Sequence, residues 1–181
     1  MEWIMFWQQF IKHPGCVGSV LPSSRYLARK LVSNIEWDRC KTVVELGAGT
    51  GSFTKYLVDA KPARTRLLIF ENNAVFRVQL AKRFRGIPLF ADAVNLEKIL
   101  LEEGISGVDC VVSGLPFAVF PDAKRQDILQ QVQRVLGFGA QFITFQYSPQ
   151  IYRELCNHFS KVQIRFTLLN VPPAIIYICR R

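Results

Sequence analysis

Seven short apolar runs, most of them separated by stretches of helical length, restrict what this chain can fold into more than any other feature. The runs are TVVEL (42–46), LLIF (67–70), PLF (88–90), VDCVVS (108–113), AQFITFQY (140–147), VQIRFTLL (162–169) and AIIYIC (174–179), and their β-branched and aromatic content reads as strand. Residues 52–60, 73–85, 95–103, 122–136 and 149–159 read as the intervening helices. Strands alternating with helices predict an α/β domain with a largely parallel sheet. NVPP (170–173) leaves no room for a helix between the last two runs, so these are expected to pair as an antiparallel hairpin at one edge. No internal repeat, low-complexity tract or second-domain linker interrupts the pattern.

At 181 residues, half of them hydrophobic, the chain has material for one domain with a sizeable core, and a disordered chain is excluded. The net charge of +9 comes from 23 Lys and Arg against 14 Asp and Glu spread along the sequence. Such a surface favours polyanions, either nucleic acid or anionic lipid headgroups, without choosing between them. Cys16, Cys40, Cys110, Cys156 and Cys179 are odd in number, far apart and free of any Cys-x-x-Cys pair. Neither a metal site nor a disulfide framework is therefore expected, and a reducing cytoplasm is the expected compartment. The aromatic start, EWIMFWQQFIKHP, has no basic first segment and no small-residue cleavage site after it, so it is expected to stay on the mature protein. No uncharged apolar run reaches the roughly 18–20 residues of a spanning helix, so the protein is expected to be soluble or peripheral to a membrane.

VVELGAGTGSFTKYL (43–57) reads as strand, glycine-rich turn and helix. Glycines at 47, 49 and 51 permit tight backbone geometry and close approach of a ligand, and the helix start presents free amides. The Gly-x-Gly-x-Gly spacing, with Ser52 next, departs from the Gly-x-Gly-x-x-Gly dinucleotide fingerprint, which keeps nucleotide or nucleoside binding open and disfavours NAD. Glu71 ends the next strand about 20 residues on, where a carboxylate can accept hydrogen bonds from both ribose hydroxyls. Asp92 follows the third strand and suits an adenine amino group. SGLPF (113–117) then forms a Pro-containing turn at the carboxyl edge of the sheet, where open α/β sheets bind ligands.

With these residues in view, the chain resembles the class I S-adenosylmethionine-dependent methyltransferases over roughly residues 40–180. The resemblance implies a Rossmann-like, seven-stranded, mostly parallel sheet completed by the C-terminal antiparallel hairpin, with helices on both faces and amphipathic helices at the N-terminus. It implies that Glu45 and the Gly47, Ala48, Gly49, Gly51 turn contact the methionine part of S-adenosylmethionine. Glu71 and Asn72 would flank the ribose, Asp92 and Ala93 the adenine. Ribosomal-RNA adenine dimethyltransferases carry Asn-hydrophobe-Pro-aromatic at the acceptor turn and a helical C-terminal domain, whereas this chain has Ser113 and no residues left for such a domain. A closer resemblance is to the bacterial phospholipid N-methyltransferases, through GSVLPSSRYLARKL (18–31), VVELGAGTGSFT (43–54), VVSGLPF (111–117) and FITFQYSP (142–149). It implies a peripheral membrane enzyme that methylates phosphatidylethanolamine, with residues 1–39 an N-terminal amphipathic segment and 40–181 the methyltransferase domain. An rRNA adenine N-methyltransferase and a non-catalytic cofactor- or lipid-binding module are the alternatives.

Placed at roughly 100° per residue, Glu2 to Lys12 group Trp3, Trp7, Phe6, Phe10, Ile4 and Ile11 on one arc opposite Gln8, Gln9, Glu2 and Lys12. Such an arc fits the headgroup boundary of a membrane, the expected role for a terminal segment with two tryptophans ahead of a basic chain; the alternative is a helix folded onto the domain's own sheet. Arg25, Arg29 and Lys30, with Arg77, Lys82, Arg83 and Arg85, can add attraction to an anionic bilayer of about 1 kcal/mol each. For methyl transfer the acceptor amine must be neutral, and it is expected near Ser113 and the backbone carbonyls of Gly114 and Leu115, with Pro116 and Phe117 shaping the pocket. Tyr147 either orients the amine or is a buried strand tyrosine. Tyr26, Ser23 and Ser24 are placed near the lipid phosphate or over the cofactor, while His13 and His158 are expected at the surface.

Overall fold

The computed structural model describes residues 25–167, 170 and 172–181. Trp3, Trp7, Phe10, Ser23 and Ser24, assigned above to membrane or substrate contact, lie outside the described residues, as does the rest of the aromatic segment. One sheet is built from β1 (Thr42–Leu46), β2 (Arg66–Phe70), β3 (Leu89–Phe90), β4 (Val108–Ser113), β5 (Leu136–Gln146), β6 (Lys161–Thr167) and β7 (Ala174–Arg180). Their spatial order is β3-β2-β1-β4-β5-β7-β6. The first five strands are mutually parallel, and β7 runs antiparallel between β5 and β6. The expected hairpin is present, with β6 as the edge strand.

Alternation along the strands divides the core in two. On one face Val44, Leu46, Leu68, Phe70, Val111 and Phe142 pack beneath α4 (Leu96–Glu102), α5 (Asp122–Val135) and α6 (Tyr152–His158). On the other, Val43, Leu67, Ile69, Cys110, Val112 and Ile143 pack beneath α1 (Arg25–Val32), α2 (Ser52–Ala60) and α3 (Ala74–Arg83). Burying a side chain of this size contributes about 1.5–3 kcal/mol, so two such layers fix the order of the strands. α1 buries Leu27, Ala28, Leu31 and Val32 in the second layer. The residues after it are tied to the sheet: the Glu36 amide donates to Gln141 Oε1 at 3.0 Å, and Gln141 Nε2 donates to the Asn34 carbonyl at 3.1 Å. Packing is therefore continuous across residue 39, where the sequence suggested a division.

The starts of β5 and α6 differ most from the sequence reading. β5 begins at Leu136 rather than 140, because Leu136 pairs with Val108 before the register shifts to Cys110 opposite Gln141. Gly139, at φ +73°, takes up the irregularity, and α5 stops one residue earlier than expected. α6 starts at Tyr152 rather than 149, since a turn with Tyr152 N–H on the Pro149 carbonyl (3.0 Å) precedes it.

Candidate active site

The carboxyl ends of β1, β2 and β4 continue into loops that keep bonding to one another. Gly47 N–H donates to the Phe70 carbonyl (2.8 Å), Glu71 N–H to Phe90 (2.9 Å) and Gly114 N–H to Leu46 (2.8 Å). This staircase brings the glycine turn and the 113–117 turn into contact. A Cβ on Gly47 would lie 2.6 Å from Leu115 Cδ2, and one on Gly114 2.9 Å from the Gly47 carbonyl oxygen. Gly47 has φ +75°, so both its backbone and its surroundings require glycine.

Glu45 lies at the end of β1, buried to 1% exposure on the α1–α3 face. Its Oε2 accepts from Thr54 Oγ1 at 2.7 Å, whereas its buried Oε1 has no hydrogen-bond partner among the described residues. Burial pushes this carboxyl up to about 7; the Thr54 bond opposes the rise and the charge of Glu71 adds to it. Glu71 closes the glycine turn from β2, its two oxygens accepting from Gly49 N–H and Asn73 N–H at 2.7 Å each. A carboxylate has about four acceptor positions, so two remain for other donors. Asn72 is exposed, and Asn73 caps α3 through bonds from Val75 and Phe76 amides. Asp92 uses Oδ1 to cap the short turn Ala93–Asn95, accepting from Val94 N–H at 3.0 Å. Ala48 is buried, and Gly51, at φ +81°, packs on Phe84 and Leu80.

In the 113–117 turn, Ser113 is fully buried and its Oγ accepts from Leu115 N–H at 3.2 Å. The Leu115 carbonyl accepts twice, from Phe117 N–H (2.9 Å) and from Gln146 Nε2 (3.0 Å). Gln146 also accepts from Ala118 N–H at 3.4 Å, so one buried amide at the end of β5 spans both sides of Pro116. With the Ser113 carbonyl bonded by Thr144 Oγ1 (3.2 Å), Gly114 carries the one carbonyl of the three that takes no hydrogen bond from the described residues. The expectation that Leu115 offers its carbonyl to an amine meets an oxygen already filled. Phe117 is wholly inside the core, edge-on to Phe142 and Phe120, and supports the turn from below rather than presenting a face to a substrate. Arg125 braces the same loop with bonds to the Phe117 and Phe120 carbonyls (3.4 and 3.2 Å) while paired to Glu154 at 2.7 Å.

Tyr147 sits half-buried on the α1–α3 side, edge-on to Phe145, which in turn packs on Phe53 of α2. The structure therefore places its ring with the glycine-turn side and Ser113 on the opposite face. Arg25 and Tyr26 are exposed at the start of α1, with the guanidinium 5.1 Å from the tyrosine ring. Of the bases in 76–85, Arg77 donates to the Glu71 and Asn72 carbonyls and Arg83 to the Thr50 carbonyl, which leaves Lys82 and Arg85 exposed and uncommitted to the turn. His158 is half-buried and joined to Gln126 at 2.8 Å, away from the site. Thr54, Gln146 and Arg125 are absent from the sequence reading; Thr54 acts on Glu45 across the glycine turn, while Gln146 reaches Leu115 and Arg125 reaches Glu154 from far along the chain.

Among the described residues no group of three or more His, Cys, Asp or Glu could hold a metal ion, and no helix is long and apolar enough to cross a membrane. No protein-family model matches the chain. Across 184 aligned positions, 99% of this chain and 96% of its relative, it is 35% identical to the ornithine lipid N-methyltransferase of Singulisphaera acidiphila. Solved structures of similar fold include the N-methyltransferase NodS from Bradyrhizobium japonicum, at TM-score 0.69 and 11% identity over 87% of this chain and 95% of that one. The precorrin-6y C5,15-methyltransferase of Geobacter metallireducens matches at TM-score 0.66 and 16% identity, over 87% and 90% of the two chains. PigF with SAH matches at TM-score 0.64 and 17% identity over 98% of this chain, which spans 58% of PigF.

Proposed function

The chain belongs to the family of the ornithine lipid N-methyltransferase of Singulisphaera acidiphila, and from that premise we propose that it moves methyl groups from S-adenosylmethionine to the amine of an ornithine-type lipid at a membrane surface. The observation that carries the reading is the junction of two turns: a glycine turn over a buried, half-bonded carboxylate, and against it a turn with one spare carbonyl.

The residues fit the cofactor. Glu45 Oε1, buried and without a partner, is suited to a cationic donor such as the ammonium of the methionine part. Glu71 has acceptor positions left for ribose hydroxyls, and Asp92 has Oδ2 for an adenine amino group. When bound, S-adenosylmethionine supplies an electrophilic methyl group on a sulfonium.

The chain's own part is to present a neutral amine in line. The Gly114 carbonyl is the acceptor that can hold an N–H bond of the amine and direct its lone pair, while the fully buried Ser113 fixes the turn by accepting from Leu115 N–H. Gln146 and the Gly114–Leu46 bond hold this turn against the glycine turn, so most of the acceleration is positional. A primary amine is also present on phosphatidylethanolamine, the acceptor that the resemblance to phospholipid N-methyltransferases implies, and the two lipids differ in what surrounds it.

Purified protein with radiolabelled S-adenosylmethionine and vesicles containing either ornithine lipid or phosphatidylethanolamine, with ribosomal RNA in a parallel tube, tests the reading. Label is expected in ornithine lipid, and deleting residues 1–12 is expected to lower transfer to vesicles at unchanged cofactor affinity. Label in phosphatidylethanolamine alone would reassign the headgroup, and label only in RNA would overturn the lipid reading.

A further inference from the structure

The edge strand β6 reads KVQIRFT, with apolar residues at 162, 164 and 166. In an antiparallel pair the residues directly opposite share a face, and here Val162 faces Cys179, Ile164 faces Tyr177 and Phe166 faces Ile175. This is the face covered by α6, yet the cover is incomplete. Tyr152, at the start of α6, stacks on Tyr177 with ring centroids 6.3 Å apart. Phe166 is 66% exposed, and Ile164 and Tyr152 are each 40% exposed.

The position of this shelf matters as much as its composition. Register places Gln146 of β5, Ile175 of β7 and Phe166 of β6 in one row across the sheet. At the usual strand spacing Phe166 is about 10 Å from Gln146, the residue that clamps the acceptor turn. The apolar row thus runs outward from the site along the carboxyl edge of the sheet.

Charge identifies what meets it. Glu154 is the last acidic residue of the chain and is already held by Arg125 and Gln126. Arg153 is exposed on α6 beside the shelf, and Lys161 and Arg165 are exposed on the same edge strand, alternating to its other face. Pairing of β6 with β6 of a second copy would bring these bases together, whereas an anionic surface complements them. We propose that Tyr152, Ile164, Phe166 and Ile175 insert at the headgroup boundary of an anionic bilayer, so that a lipid amine enters the acceptor turn while its acyl chains stay in the membrane. The inference rests on the lipid reading above and names the surface that serves it.

The test uses the full chain, with flotation on phosphatidylcholine vesicles with and without phosphatidylglycerol, and calorimetric titration with S-adenosylhomocysteine. The double substitution Ile164→Asp and Phe166→Asp is expected to weaken binding to the anionic vesicles at least tenfold with the cofactor affinity unchanged. Phe166→Ser, a truncation at an exposed position, gives the same direction with a smaller loss and guards against misfolding of the double variant. Val75→Asp with Val78→Asp, on the exposed side of α3, is the matched control and is expected to bind as the wild type does. Wild-type affinity in the β6 variants, or loss only in the α3 pair, overturns the inference. A change from dimer to monomer by light scattering with vesicle binding intact also overturns it and gives the face to a second copy. If the β6 variants lose vesicle binding but the wild type methylates no lipid, the docking surface stands and the proposed function falls.

Discussion

Replacing Glu45 by Gln separates two pH dependences of opposite sign. In the cofactor-free protein the Glu45 carboxyl is raised by burial from 4.5 to about 7, so between those values the folded state holds a proton that the unfolded chain has lost. Stability must then fall as pH rises through this window, by about 3 kcal/mol in total at 1.36 kcal/mol per pH unit. Cofactor binding runs the other way. An ammonium against Oε1 requires the anion, so below pH 7 binding must first expel the proton, and affinity drops roughly tenfold per pH unit on acidification. The Gln variant is neutral throughout. It should lose both dependences, melt higher than the wild type at pH 8, and bind S-adenosylhomocysteine about 10- to 100-fold more weakly there, the value of a hydrogen bond to a charged group. Scanning fluorimetry across pH 5–8 reads the first effect, and calorimetry in buffers of different ionisation enthalpy counts the proton released in the second. A wild-type affinity that is flat with pH, or a Gln variant that keeps the wild-type profile, would refute the assignment of Oε1 to the cofactor's cation.

Gly47→Ala combines a left-handed backbone with a Cβ 2.6 Å from Leu115 Cδ2, and should cost about 1–2 kcal/mol in backbone strain alone while abolishing detectable cofactor binding by calorimetry. Gln146→Ala strands the Ala118 N–H and frees one side of the Leu115 carbonyl; a loss of about 1–3 kcal/mol in denaturant melts is expected, with kcat falling far more than cofactor affinity because the clamp touches only the acceptor turn. Arg125→Lys keeps the charge beside Glu154 but loses the fork that reaches the Phe117 and Phe120 carbonyls, and should destabilise by about 2 kcal/mol in the same melts.

The strand and helix pattern was legible because each buried strand is a short run of Val, Leu, Ile and Phe, and because the helices between them repeat at their own period. Residues 52–60 match α2 residue for residue, since Gly51 and Ser52 mark its start and Lys61 its end. The start of β5 is hidden in the sequence for a physical reason: Gly137 and Gly139 erase the alternation, and only the pairing of Leu136 with Val108 shows that the strand has already started. The acids at strand ends were also legible, because parallel topology puts every such end on one edge of the sheet.

What the sequence could not supply was the count of hydrogen bonds. Three successive carbonyls, at Ser113, Gly114 and Leu115, look equivalent along the chain. They become different only when Thr144, Gln146 and the Phe117 amide arrive and occupy two of them. Thr54 is likewise an ordinary helix residue until its hydroxyl satisfies one oxygen of Glu45 and leaves the other unbonded. Gln146 sits 31 positions from Leu115, at the end of a strand where a glutamine has no local signature. Motifs therefore locate the two turns, and tertiary contacts decide which atoms of those turns are free to react. Substituting the motif residues themselves mixes loss of the fold with loss of chemistry, so the informative variants are Thr54→Val and Gln146→Ala, which change the bonding of a motif atom without altering the motif.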